Sequence, residues 1–87
     1  MKLTKNPYTS SEILDNEVCI FNPNNAQYIT LNSTASRIWE LLDLQINIRE
    51  IVEILKKEYK EKDNILEDET KTFINQCIES GILICDN

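Results

Sequence analysis

The spacing of apolar residues changes abruptly at Asn32, within the stretch QYITLNSTASRIWELL (residues 27–42). Before it, Ile29 and Leu31 occupy alternate positions, and this period of two is typical of a β-strand. After it, apolar residues recur every three to four positions, as in an amphipathic helix. A chain of 87 residues that runs from strand directly into helix is predicted to adopt an α+β fold.

Two segments upstream are predicted to pair with this strand. Glu17–Phe21 (EVCIF) is apolar on both alternating faces, which predicts a central strand covered on two sides. The turn NPNNA (residues 22–26) joins it to the strand Gln27–Leu31, so these two form an antiparallel hairpin. Glu12–Leu14 is a weaker strand and makes the predicted sheet three-stranded.

Three helices are predicted after the sheet. The first begins near Asn32, which is a good N-cap. The second begins after Asn47, where Glu50 completes a capping box. The third begins after Asn64 as its cap and ends at Gly81, the usual residue at that position.

The final apolar residues 82–85 (ILIC) are predicted to form a short extended segment. The predicted fold is an N-terminal three-stranded antiparallel sheet packed on three helices. It is similar to a winged helix-turn-helix whose sheet has moved to the N-terminus. Its length predicts a single domain over residues 1–87.

The composition offers little for catalysis or metal binding. The chain has no His, and its three Cys show no CxxC spacing. Its one Gly lies at a helix end, so there is no Gly-rich phosphate loop. Cys77 lies on an apolar helix face, and Cys19 lies in a strand without basic neighbours to activate it. We therefore predict that the protein is not an enzyme and binds no metal or cofactor.

The net charge of −6 is concentrated near the C-terminus, where residues 63–87 carry six acidic residues against Lys71. Such a surface repels phosphate backbones. The third predicted helix opens with EDE (residues 67–69), where a DNA reader carries Arg or Lys. The basic residues within 56–62 alternate with Glu, which is typical of a solvated helix. A winged-helix nucleic-acid-binding protein therefore stays open only as a disfavoured alternative.

The chain also shows no membrane or export signal. No apolar run approaches 18 residues, and the N-terminus MKLTKNPYTS lacks an apolar signal core. We therefore expect a cytoplasmic protein with reduced thiols and no membrane contact.

The strand Gln27–Leu31 is the last of the predicted sheet, so its far edge is unpaired if the strand order is sequential. An unpaired edge can accept an extended peptide by strand addition. It can also pair with a second copy of the chain and give a homodimer. In two alternative arrangements this edge is not free, because either the third helix or residues 82–85 cover it. A subunit that docks onto an enzyme without touching peptide is a further alternative.

The ordered set of motifs resembles the PqqD family. Residues 17–43 are similar to the family's strand, turn, strand, LN and IWELL segments. The helix NIREIVEILKKEY ends in an aromatic, Tyr59, and FINQCIESGIL ends in a Gly and two aliphatics, as in the family. The resemblance covers about residues 12–84. It departs at Leu44, where many members carry Gly.

This resemblance implies a recognition domain for the leader segments of ribosomally made, later modified peptides. It implies that a leader adds as a further strand beside Gln27–Leu31 and against the third helix. Free-standing members deliver the precursor to a separate enzyme, either a radical SAM enzyme or the leader peptidase of a lasso-peptide pathway. No catalysis, metal or nucleotide is implied.

Backbone pairing alone would give such a peptide little affinity. Each hydrogen bond nets about 0.5–1.5 kcal/mol, whereas ordering each peptide residue costs about 1–2 kcal/mol. Buried apolar side chains must therefore supply the affinity, and the groove beside the strand should be apolar. The acidic start of the third helix is expected to steer a basic leader. The candidate peptide-binding residues are Gln27, Tyr28, Ile29, Thr30 and Leu31 on the strand and Phe73, Ile74, Cys77 and Ile78 on the helix.

Overall fold

The computed structural model describes residues 2–60 and 64–86. The elements are, in chain order, β1 (Lys2–Lys5), β2 (Ser10–Leu14), β3 (Glu17–Asn22), β4 (Gln27–Thr30), α1 (Ser33–Leu41), a 3₁₀ helix (Leu42–Leu44), α2 (Ile48–Tyr59), α3 (Ile65–Ser80) and β5 (Leu83–Asp86). The predicted α+β fold with a three-stranded antiparallel sheet and three helices is confirmed. Residues 61–63, part of the charged segments considered above, lie outside the described residues. Within the described ranges, no helix is long and apolar enough to span a membrane.

The three-stranded sheet has the order β2-β3-β4, with β3 in the centre as predicted. Val18 and Ile20 on its inner face are buried, whereas Cys19 and Phe21 on its outer face are only half-buried. The prediction that both faces of this strand are covered is therefore wrong, because the core packs against one face only. On the outer face, the rings of Phe21 and Tyr28 pack with their centroids 5.2 Å apart.

A second, two-stranded sheet joins the two ends of the chain. Strands β1 and β5 pair antiparallel, with Leu3 opposite Cys85. Strand β1 was not predicted, because its partner lies at the other end of the chain and no local turn signals the pairing. The predicted extended segment at 82–85 is confirmed as β5, and it pairs with β1 rather than with β4.

The junction between β4 and α1 is fixed by side chains at the point where the apolar period changes. The side chain of Asn32 accepts a hydrogen bond from the Ala35 amide at 2.8 Å and caps α1. The buried Ser36 hydroxyl donates to the Leu31 carbonyl at 3.2 Å and accepts from the Val18 amide at 3.0 Å. These bonds attach the end of β4 and the start of α1 to the central strand.

The ends of α2 and α3 are built differently. The predicted capping box is confirmed, since Asn47 accepts from the Glu50 amide at 2.8 Å and Glu50 accepts from the Asn47 amide at 3.3 Å. Asn64 makes no such bond with its side chain, so the prediction that it caps α3 is wrong; its backbone (φ −85°, ψ 10°) is not extended as a capping residue requires. Gly81 ends α3 with φ +84°, as predicted.

The hydrophobic core lies between the inner face of the three-stranded sheet and the helices. It contains residues from all three helices, among them Ile38, Trp39, Ile51, Leu55 and Ile74. The helices and the inner face of the three-stranded sheet therefore share one hydrophobic core.

Candidate functional site

The outer edge of β4 offers main-chain groups for pairing. Leu31 donates its amide to the Val18 carbonyl at 2.8 Å, so the main chain of Leu31 faces β3. Because the direction alternates along a strand, the main chain of Ile29 also faces β3, and the N–H and C=O groups of Tyr28 and Thr30 face away from it. No described residue pairs with these four groups, since β4 has β3 as its partner strand and β5 pairs with β1. We call these four groups the open edge.

A groove of about 720 Å³ lies beside the open edge, between β4 and α3. The described residues that line it come from β4, the start of α1, α3 and the segment before β5. They are Ile29, Thr30, Leu31, Asn32, Thr34, Ala35, Ile38, Asp68, Glu69, Thr72, Phe73, Gln76, Cys77, Ser80 and Ile82.

The floor of the groove is apolar, as expected for a peptide site. Leu31, Ile38, Cys77 and Ile82 are buried beneath it and belong to the core. Ile29, Ala35 and Phe73 are only half-buried, so they leave apolar surface for a guest to cover.

The structure brings five of the nine predicted site residues together at the groove, namely Ile29, Thr30, Leu31, Phe73 and Cys77. The remaining two helix residues do not line it. Ile74 is 1% exposed in the core, and Ile78 packs half-buried against the core. Residues 73, 74, 77 and 78 lie on one helical stripe wider than the groove, so only one side of the stripe faces the groove.

The other two predicted strand residues, Tyr28 and Gln27, lie on β4 but outside the groove. The Tyr28 side chain is 74% exposed on the outer face of the sheet, because alternate strand residues point to opposite faces. Gln27 is exposed at the start of β4. The main chain of Tyr28 thus contributes to the open edge, whereas its side chain does not reach the groove.

Several groove residues were not among the predicted site residues. Thr34 and Ala35 line it because α1 starts immediately after β4 and continues the same wall. On α3, Glu69 lies four residues before Phe73, and Thr72 lies four residues before Gln76. This spacing places the four side chains on adjacent rows of one helix. The same spacing was the signal in the sequence from which these groove residues could have been predicted.

The electrostatics of the groove are simple. Among the described residues, two carboxylates line it, Asp68 and Glu69, and no Lys or Arg does. Burial raises the pKa of the Cys77 thiol to about 12, because the apolar surroundings disfavour the thiolate. The Cys77 thiol therefore stays protonated and is a poor nucleophile at neutral pH.

The fold and the groove define a small sheet-and-helix domain with an unpaired strand edge above an apolar, peptide-sized cleft. Residues 17–83 match the family described as coenzyme PQQ synthesis protein D (PqqD). The chain therefore belongs to the PqqD family, as its motifs predicted. The comparison with curated protein sequences found no match.

Two solved structures are similar to the chain over nearly its whole length. The first is TbiB1 in complex with the TbiA(beta) leader peptide, with a TM-score of 0.85 and 24% identity over 97% of this chain and 98% of that one. The second is lasso peptide synthetase B1 complexed with the leader peptide, with a TM-score of 0.86 and 19% identity over 98% of this chain and 100% of that one. These similarities establish a shared fold.

Proposed function

We propose that this chain recognises the leader segment of a ribosomally synthesised precursor peptide and delivers it to a separate maturation enzyme. The leader adds as a further strand to β4, with its side chains over the groove. The observation that carries the proposal is the open edge at Tyr28 and Thr30, which lies directly beside an apolar cleft.

The open edge and the groove can bind the same peptide. A guest residue opposite Ile29 or Leu31 points to the same face of the sheet as these residues, and that face borders the groove. Apolar leader side chains at those two positions would cover the half-buried Phe73 and Ala35. Each buried apolar side chain contributes about 1.5–3 kcal/mol. This supplies the affinity that backbone pairing alone does not.

The similar structures support a leader as the guest. Both are complexes with leader peptides, and one is named a lasso peptide synthetase B1. We therefore propose a lasso-peptide pathway in the cytoplasm, with a leader peptidase as the receiving enzyme. A radical SAM enzyme is the alternative receiver. The protein acts as a single binding domain without catalysis of its own.

Two other readings of the same surface are less well supported. A nucleic-acid reader would need basic residues where Asp68 and Glu69 line the groove. A homodimer through the open edge would occupy the site, so leader binding and self-pairing would compete.

Titration calorimetry can test the proposal, with a synthetic leader segment of a ribosomally synthesised precursor peptide. We expect the wild-type protein to bind this peptide and Thr30→Pro to bind it at least about 10-fold more weakly. Proline at this position removes an outward-facing N–H and adds bulk at the edge, while the bonds of β4 to β3 are kept.

Ser11→Pro is the matched control. The alternation in β2 points the main chain of Ser11 away from β3 as well, on the opposite edge of the same sheet. We expect Ser11→Pro to bind the peptide like the wild type. Equal loss in both variants, with both folded by circular dichroism, would contradict strand addition at β4. Sedimentation of the free and peptide-bound protein identifies self-pairing through the edge.

A further inference from the structure

The groove has two chemically different ends. At one end, the Asn22 side chain in the last residue of β3 bonds to the carbonyl of Ser80, so the end of α3 lies beside the start of β4. At the other end, Asp68 and Glu69 line the groove together with Asn32, which follows the end of β4. Helix α3 and strand β4 therefore run in opposite directions along the groove.

The length of the groove fits a short strand. From Glu69 to Ser80 the helix rises about 16 Å, at about 1.5 Å per residue. Five residues of extended chain span about 16–17 Å. A five-residue segment therefore reaches from one end of the groove to the other, and three of its side chains, at alternate positions, face the groove.

Those three positions meet different surroundings. Two of them lie opposite Ile29 and Leu31, over the apolar floor. The third lies one alternate position further, past the end of β4, where Asp68 and Glu69 line the groove. The guest thus meets apolar surface at two positions and negative charge at the third.

The negative charge at that end has no partner among the described residues. Asp68 and Glu69 form no ion pair with a described cation, whereas their neighbour Glu67 pairs with Lys71 at 3.3 Å. No described Lys or Arg lines the groove. A basic side chain of the guest would supply the missing positive charge.

We propose that the groove selects a segment whose alternate side chains read, from N- to C-terminus, basic, apolar, apolar. This inference rests on the proposed function and names the chemistry of its ligand. The order follows from antiparallel pairing, which continues the antiparallel β2-β3-β4 sheet and places the N-terminal end of the guest at the end of β4. Asp68 and Glu69 act as specificity-determining residues.

Selection from a displayed library of random 12-residue peptides tests the proposal with the intact protein. We expect enrichment of Lys or Arg two residues before an apolar–any–apolar pattern. Synthetic enriched peptides are expected to bind Asp68→Asn and Glu69→Gln each about 2- to 5-fold more weakly than the wild type. Glu79→Gln removes an exposed carboxylate of the same helix outside the groove, and its affinity should be unchanged.

A second selection, on the Asp68→Lys/Glu69→Lys variant, is expected to enrich Asp or Glu at the same position. Apolar alternation without a preferred charge, or a basic residue that follows the apolar pair, would overturn this inference and leave strand addition standing. Failure of Thr30→Pro to weaken the selected peptides would overturn the proposed function as well. Circular dichroism of each variant ensures that only folded proteins are compared.

Discussion

The side-chain amide of Asn22 donates a hydrogen bond of 3.1 Å to the main-chain carbonyl of Ser80. Asn22 is the last residue of β3 and is 1% exposed, while Ser80 is the last residue of α3. The side chain of Asn24 donates to the same carbonyl at 3.1 Å. These bonds hold the end of α3 against the turn before β4, and so they set the width of the groove at this end.

Asn22→Ala is expected to lower the free energy of unfolding by about 1–3 kcal/mol, because the buried Asn22 side chain bonds both to the Ser80 carbonyl and to the Asn24 amide. Asn24→Ala, at an exposed position, should cost less than about 1 kcal/mol since Asn22 still bonds to Ser80. Urea unfolding of the two variants measures both values. An equal loss of unfolding free energy in the two variants would mean that Asn22 does not hold the end of α3 against the turn before β4.

The neighbouring residues Phe73 and Ile74 are expected to separate binding from folding. Ile74→Asp places a charge in the core and should prevent stable folding. Phe73→Ala, at a half-buried groove position, should leave the fold intact and weaken binding of the leader peptide by about 10-fold or more. Circular dichroism and calorimetry together decide this. A folded Ile74→Asp protein would show that the helix is rotated relative to this account.

The pKa of Cys77, raised to about 12 by burial, predicts a loss of stability at high pH. The unfolded thiol ionises near pH 9 whereas the folded thiol stays protonated, so the stabilisation is complete below pH 9 and is lost as the pH rises towards 12. The loss is at most about 1.4 kcal/mol per pH unit. This loss is measured as the difference in the free energy of unfolding between the wild type and Cys77→Ala from pH 8 to pH 10.5. Parallel pH curves for the two proteins would contradict it.

The ion pair between Arg37 of α1 and Glu58 of α2 is expected to matter little for stability. The guanidinium Nη2 lies 2.7 Å from Glu58 Oε2, and its hydrogen bonds lower the pKa of that carboxyl. This stabilisation is present above pH 4.5 and is lost as the pH falls further. Both side chains are about one-third exposed, so Glu58→Gln should cost about 0.2–1 kcal/mol at pH 7 and less at pH 3. A cost above about 2 kcal/mol in urea unfolding at pH 7 would contradict this.

The sequence predicted the local features of the fold and missed the features that depend on distant contacts. The change of period at Asn32, the capping box at Asn47 and the stop at Gly81 are encoded within a few residues, and each is found where it was predicted. Strand β1 was missed because it exists only through pairing with β5 at the other end of the chain. The core covers only one face of β3, and this too depends on where the helices pack.

The candidate site divides in the same way. The strand Gln27–Thr30 follows from the alternation of apolar residues in the sequence. Its open edge depends on the strand order β2-β3-β4, which the sequence left conditional and the structure supplies. The choice between Phe73 and Ile74 as the groove residue depends on the rotation of α3 about its axis, which the packing of the core sets. An apolar helical stripe carries no mark that separates its core side from its groove side.

The most direct test of the central claim is amide hydrogen exchange, measured residue by residue by NMR, with and without the leader peptide. We predict that the amides of Tyr28 and Thr30 exchange rapidly in the free protein and become protected when the peptide binds. The outward-facing amides of Ser11 and Ile13 on the opposite edge should stay unprotected in both states. Peptide binding that leaves the exchange of Tyr28 and Thr30 unchanged would contradict strand addition at β4.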